Sequence, residues 1–252
     1  RVRRVLALQR STRHRVRENL MVAEGARLVA ELNGSGIEPV EVFVTEAFYE
    51  ADAASHDLVQ SLDARTTVIQ VSDELMAEMS DTVTPQGILA VLPIPDLTPS
   101  AVERFVLVPD QVRDPGNLGT MLRTAWAAGV TEVLLPPGTV DPTNPKVVRA
   151  GMGAHFYLPI HGGDWDQIWE AVGPAQVWLA EARKGQRYDA ADWTGDVALV
   201  IGGEAAGAGR VARRVADFVH IPMAAGVESL NAAAAAAILL FEAARQRRHA
   251  HT

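Results

Sequence analysis

Ala198-Leu199-Val200-Ile201-Gly202-Gly203-Glu204-Ala205-Ala206-Gly207 is an apolar run that breaks off at glycines. Glycine lacks a Cβ, so a ligand can approach its main chain closely, and strand ends of an α/β sheet are where ligands sit. The pattern returns at Phe218-Val219-His220-Ile221-Pro222-Met223, after which Glu228-Ser229-Leu230-Asn231 opens an Ala-rich helix. Two such strands predict an α/β sheet with a binding site at its strand tips.

Working outward, strands are expected at 105–108, 132–135, 156–160, 177–180, 197–201 and 218–221. Helices are expected between them at 117–128, 145–152, 165–172 and 210–216, with a last one over 230–247. Mostly apolar strands read as a parallel sheet covered on both faces. Ala232–Ala237 is a strong helix former whose small side chains allow close packing. Further back, Leu20–Ala23, Val40–Val44, Thr67–Val71 and Gly87–Leu92 read as strands. A helix from Gly25 to Leu32 is stopped by Asn33-Gly34-Ser35-Gly36, and Ser72 caps a short one. Pro93-Ile94-Pro95-Asp96-Leu97-Thr98-Pro99-Ser100 has no periodicity and reads as a linker. The organisation expected is a small α/β unit over 1–95, a linker over 96–103 and a second α/β unit over 104–252.

The chain has 252 residues, 48% of them hydrophobic, enough for one large core or two small ones. It has no cysteine, which excludes disulfides, thiolate metal sites and a cysteine nucleophile. Its seven histidines are scattered, so no metal is expected. No apolar run approaches the ~20 residues that span a membrane. The Arg-rich start lacks the apolar core of a secretory signal. A cytoplasmic protein without a membrane partner is expected. A first residue of Arg1 rather than Met reads as a start inside a longer product.

The net charge of −8 argues against nucleic acid. The charge is uneven, however: Arg1, Arg3, Arg4, Arg10, Arg13, Arg15 and Arg17 all precede the first acid, Glu18. That run reads either as a solvated tail or as a phosphate-contacting arm, with Arg13, Arg15 and Arg17 as its candidates.

Two further stretches carry chemistry beside those of the opening. From Asp110 the chain turns at Pro115-Gly116 and enters a helix at Asn117, a residue that serves well as an N-cap. Arg123, among apolar and small neighbours, reads as an ion-pair member or a phosphate binder. In Asn144–Ala154, Lys146 and Arg149 share a helix face. They form a platform for an RNA backbone, or they merely complement a helix dipole, and Arg113 is a further candidate for RNA contact. The glycines from Gly202 to Gly209 fit a dinucleotide fingerprint poorly, since that motif opens a βαβ unit with an acid about 20 residues on. Taken singly, Glu204 reads as a helix N-terminal acid, and Ser229 and Asn231 as caps.

In order and content the set resembles the SpoU (TrmH-like) branch of the SPOUT class, the S-adenosylmethionine-dependent RNA 2′-O-ribose methyltransferases. The first motif matches at Asp110, Asp114-Pro115, Asn117, Gly119 and Arg123. The second matches at Ile201-Gly202, Glu204 and Gly207, and the third at Ile221-Pro222-Met223 and Ser229-Leu230-Asn231. Glu24-Gly25 and Thr84-Pro85-Gln86-Gly87 are weaker marks of the family's ribosomal-protein-like substrate-binding domain. Gly203 and Ala205 depart from the usual second motif, and Ala225 from the third. The resemblance implies an α/β domain with a deep trefoil knot, an exception to the rule that chains are unknotted. It also implies a homodimer and S-adenosylmethionine held by backbone near Leu179, Ala180, Glu181, Gly202, Gly203, Ile221, Met223 and Leu230. Arg123 becomes the key catalytic residue, with Asn117, Glu204, Ser229 and Asn231 ordering it and the ribose. The two-domain build leans towards ribosomal RNA. Transfer RNA, a non-catalytic RNA-binding protein on the same scaffold, and an NAD-dependent oxidoreductase are the competing readings.

Overall fold

A computed structural model describes residues 1–99, 103–204 and 207–250. The backbone divides into two compact units: Arg1–Pro95 with Asp141–Tyr157, and Asp96–Val140 with Leu158–Thr252. Part of the expected linker, residues 100–102, lies outside the described residues.

The first unit opens with two helices, α1 (Val2–Arg10) and α2 (Thr12–Glu18). It continues through β1 (Leu20–Glu24), α3 (Ala26–Ala30), α4 (Leu32–Ser35), β2 (Glu41–Thr45) and α5 (Glu46–Tyr49). It then runs through α6 (Ala53–Asp63), β3 (Thr67–Val71), α7 (Asp73–Met79) and β4 (Ile88–Pro93). The four strands pair in the order β1-β4-β2-β3, with β4 antiparallel to both neighbours and β2 parallel to β3. Successive side chains of a strand point to opposite faces. Val42 and Val44 therefore join Ile88 and Ala90 in one core with Leu28 and Leu32, while Phe43 and Leu89 join Val5, Leu8, Met76 and Met79 in the other.

The arginine-rich start is not a tail. Val2, Val5 and Leu8 recur every three residues and pack α1 on that second core. Arg15, expected on an RNA-facing surface, is corrected by the structure, where it is 2% exposed. Its guanidinium donates to the Leu8 carbonyl at 2.6 Å, Thr143 Oγ1 at 3.0 Å, Thr12 Oγ1 at 2.9 Å and Asp141 Oδ2 at 2.5 Å. With its donors so engaged, it pins α2 to the 141–143 segment instead of meeting solvent.

The second unit begins with β5 (Phe105–Asp110), α8 (Pro115–Ala128) and β6 (Glu132–Leu135). The chain then supplies α9 (Pro145–Gly151) and a 3-10 turn (Ala154–Phe156) to the first unit. It returns with β7 (Ile160–Gly162), α10 (Trp165–Val172), β8 (Gln176–Ala180) and β9 (Gln186–Arg187). It closes with β10 (Val197–Gly202), α11 (Ala212–Val215), β11 (Asp217–His220) and α12 (Ala232–Ala250). The strand expected over 156–160 forms only from Ile160, because Phe156 is drawn into the first unit's core by the 3-10 turn.

Seven strands pair in the order β7-β6-β5-β10-β8-β11-β9, every neighbour parallel. All six residues of β5 are buried, as are Val197–Ile201 of β10. A parallel sheet covered on both faces requires such unbroken apolar runs. Each fully buried Val, Leu or Ile contributes ~1.5–3 kcal/mol. Because β10, β8 and β11 are parallel neighbours, their C-terminal ends at Gly202, Ala180 and His220 lie side by side.

Candidate active site

A cavity of about 250 Å³ opens at those strand ends. Ala180 and Glu181 line it from β8; Ile201, Gly202, Gly203 and Glu204 from β10. Ile221 and Met223 line it beyond β11, and Ser229 and Leu230 line it ahead of α12. On this measure a water needs ~10–15 Å³, so the space takes a molecule of many heavy atoms. Leu179 is fully buried in the core beneath and does not line it. Apolar walls come from Ile201, which the second motif includes, and from Val219 and Leu239, which the motifs leave out. Ala232 and Ala235 also line the cavity, so the alanine run leaves room for a ligand as well as for close packing.

Glycine is required here by backbone contact. A Cβ on Gly203 would stand 2.1 Å from the Gln111 carbonyl oxygen, and one on Gly202 would stand 2.2 Å from the Ala208 nitrogen. The β10 loop thus lies directly on the β5 turn. Asp110, 1% exposed, accepts from the Gly209 N–H at 2.6 Å and fixes the far side of that loop. Burial raises its carboxyl pKa, against the opposing pull of the Gly209 bond and the Arg213 cation. Arg213 donates to the Ala208 carbonyl at 2.9 Å and pairs with Glu181 at 2.6 Å, tying the loop to the β8 end. The Gly207 N–H closes on the Gly203 carbonyl at 3.0 Å, and Ala205 and Ala206 between them lie outside the described residues.

Asn117 is not the helix cap. Asp114 is: its Oδ1 accepts from the Asn117 N–H at 2.8 Å, with Pro115 following in the first turn of α8. Asn117's side chain is therefore free for another task. Its Nδ2 donates to Glu204 Oε1, and its Oδ1 accepts from Asn231 Nδ2 at 3.0 Å. Asn231 meanwhile caps α12, its Oδ1 accepting from the N–H groups of Ala233 and Ala234 at 2.9 and 3.2 Å. A directed chain of hydrogen bonds, Asn231 to Asn117 to Glu204, thus ends on a carboxylate in the cavity wall. Ser229 lines the same cavity and is exposed.

Arg123 is exposed on α8, outside the cavity lining, with no hydrogen-bond or ionic partner among the described residues. Six residues past Asn117, it lies ~9 Å further along the helix, about 120° around it. Arg113, Lys146, Arg13 and Arg17 are also exposed, and Arg17 pairs with Glu18 at 2.9 Å. Arg149 is partly buried against Asp81 at 3.2 Å and Glu24 at 3.7 Å. Among the described residues no three histidines or carboxylates gather as a metal site.

A family model described as the SpoU rRNA Methylase family matches residues 104–241. The chain belongs to the SpoU rRNA methylase family. A second model, an MRM3-like substrate binding domain, matches residues 1–90 of this family member. The protein is 33% identical to rRNA methyltransferase 3, mitochondrial, of Mus musculus, over 97% of its length and 72% of that relative. It is equally 33% identical to the Bacillus subtilis 23S rRNA (guanosine(2553)-2′-O)-methyltransferase RlmP, over 91% of its length and 90% of that enzyme. The SpoU methyltransferase AviRb of Streptomyces viridochromogenes, solved with AdoMet, superposes with a TM-score of 0.86 at 26% identity, covering 97% of each chain. An AdoMet-bound rRNA methyltransferase of Sinorhizobium meliloti superposes with a TM-score of 0.81 at 29% identity, covering 97% of this chain and 94% of that one.

Proposed function

We propose that this SpoU family member transfers the methyl group of S-adenosylmethionine to a ribose 2′-oxygen of ribosomal RNA. The observation that carries the reading is the Asn231–Asn117–Glu204 chain ending in the wall of a glycine-edged cavity. S-adenosylmethionine supplies the activated methyl group. The residues present fit it: Ile201, Val219 and Leu239 offer an apolar slot for an adenine ring, and the strand ends offer bare backbone for its polar edge. The Glu181 and Glu204 carboxylates complement a sulfonium's positive charge.

The chain's own task is orientation and electrostatics. A ribose hydroxyl is a poor nucleophile and must lose a proton. A guanidinium, with a pKa above ~12, cannot take it. Arg123 instead stabilises the developing alkoxide or grips the adjacent phosphate, and that phosphate takes the proton. Its exposed guanidinium, without a partner among the described residues, suits an incoming anion. Asn117, Glu204, Ser229 and Asn231 hold the ribose in line with the methyl group.

The working form is a homodimer. Ile238 and Phe241, three apart on α12, present apolar surface to solvent, with Phe241 46% exposed, and Trp126 is exposed on α8. A second copy covers that face. A deep trefoil knot in the second unit is inferred from membership of the family. The location is the cytoplasm; among the described residues no helix is long and apolar enough to cross a membrane.

Calorimetry with S-adenosylmethionine, together with transfer of its labelled methyl group to a ribosomal RNA transcript, tests the reading. Arg123→Ala is expected to bind the cofactor as the wild type does and to lose transfer by on the order of 100-fold. Full turnover by the variant refutes the role of Arg123, and no cofactor binding by the wild type refutes the function.

A further inference from the structure

We propose that a second cavity, in the first unit, receives one unpaired nucleotide of the RNA; the inference rests on the proposed RNA substrate. The cavity measures about 340 Å³ and lies between the start of α3, the loop over 82–86 and the end of α9. Its floor is fixed by Glu24, only 7% exposed. That carboxylate accepts from the hydroxyls of Ser80 and Thr82, the latter at 2.6 Å, and from the Asp81 N–H at 3.2 Å. The loop is thereby held in one shape without a ligand.

Above the Glu24 floor, Gln86, Arg149 and Arg27 supply donors and cations to the lining. Gln86 lines the cavity and accepts from the Ala26 N–H at 2.9 Å through Oε1, which leaves its amide N–H groups without a partner among the described residues. Gly25, at φ 106, makes this possible: a Cβ there would sit 3.0 Å from Gln86 Oε1. Nη1 of Arg149 is buried without a hydrogen bond, 3.7 Å from the Glu24 carboxylate, while Nη2 reaches Asp81 at 3.2 Å. Arg27 lines the cavity and is exposed, with no ionic partner among the described residues. Unfilled donors in a cavity select a ligand rich in acceptors.

The remaining wall is apolar. Leu28 contributes to it, and so does Met152, held in the left-handed region at φ 47. A non-glycine residue there is uncommon, and methionine sulfur packs well on aromatic faces. An apolar slot beside unfilled donors and cations matches a planar base with its ribose and phosphate. A paired base keeps its edge hidden, so the occupant is an unpaired nucleotide. The Asn144–Ala154 platform thus acts through Arg149 and Met152, as one side of a pocket.

The test uses the full chain and a ribosomal RNA transcript containing 4-thiouridine. Photo-crosslinks are expected on the peptides that carry Thr82–Gln86 or Met152. The double variant Arg27→Ala/Gln86→Glu, which keeps the oxygen that accepts from Ala26 and removes the amide donors, is expected to bind the transcript tenfold or more weakly with melting temperature and cofactor affinity unchanged. An unstructured oligonucleotide should compete and a perfect duplex should not. Crosslinks confined to other peptides, or affinity within twofold of wild type, overturn the proposal. Crosslinks here without methyl transfer by the wild type would sink the methyltransferase reading and leave the pocket standing; transfer with unaltered affinity in the double variant does the reverse.

Discussion

Asn117 shows how one residue's role depends on its neighbour. Because Asp114 caps α8, the Asn117 amide is released to join Asn231 to Glu204. Asp followed by Pro is itself a helix-start signal, so the true cap was legible at Asp114-Pro115. The link to Glu204 was not, since it spans two strand ends far apart in sequence. Asn117→Ala should cut methyl transfer by ~100-fold. Adding Asn231→Ala should cost little more, because the two act as one chain. Transfer rates of both single variants and the double variant check this, and additive losses would break the link. Asp114→Ala should lower stability by ~1 kcal/mol, read from urea unfolding, with the relay weakened rather than removed.

At the scale of elements, periodicity served best where one face of a strand or helix decides burial. Thr67–Val71, Glu132–Leu135 and Trp165–Val172 form just where their patterns place them. It failed where charge masked spacing, as in α1, whose Val2, Val5 and Leu8 are interleaved with arginines. It failed again at Phe156, whose side chain belongs to the core of the other unit. The glycines at the β10 end are a sharper case: sequence showed that backbone was bare there, but not that another stretch of backbone lies on it. Gly203→Ala should therefore abolish cofactor binding in calorimetry, since its methyl has no room beside Gln111. Arg15→Ala leaves Asp141 without its cation and should cost ~3–5 kcal/mol, read from denaturant unfolding.

For the whole molecule, pH is the informative variable. His155 is 4% exposed, with Nε2 2.8 Å from the Pro142 carbonyl. Burial lowers its pKa from 6.5 to about 4, outweighing the Pro142 bond and the Asp141 charge. The unfolded chain takes up this proton near pH 6.5 and the folded chain only near pH 4, so stability is lost as pH falls through that window. The loss from His155 is roughly 3 kcal/mol. Burial acts to raise the Asp141 carboxyl, but hydrogen bonds from Thr143 and Arg15 prevail and hold it below 3.8. Its contribution is present above that value and fades at still lower pH. His155→Gln should flatten the slope of unfolding free energy between pH 6.5 and 4; an unchanged slope would assign the effect elsewhere. The return of 141–157 to the first unit is a tertiary choice that no local pattern encodes.

The chemistry itself is tested most directly by nucleoside mass spectrometry of ribosomal RNA incubated with the protein and isotopically labelled S-adenosylmethionine. The label should appear on a ribose 2′-oxygen, and should vanish when the strand-tip cavity is closed by Gly203→Ala. Label on a base, or on ribose at an undiminished level in that variant, would contradict the account.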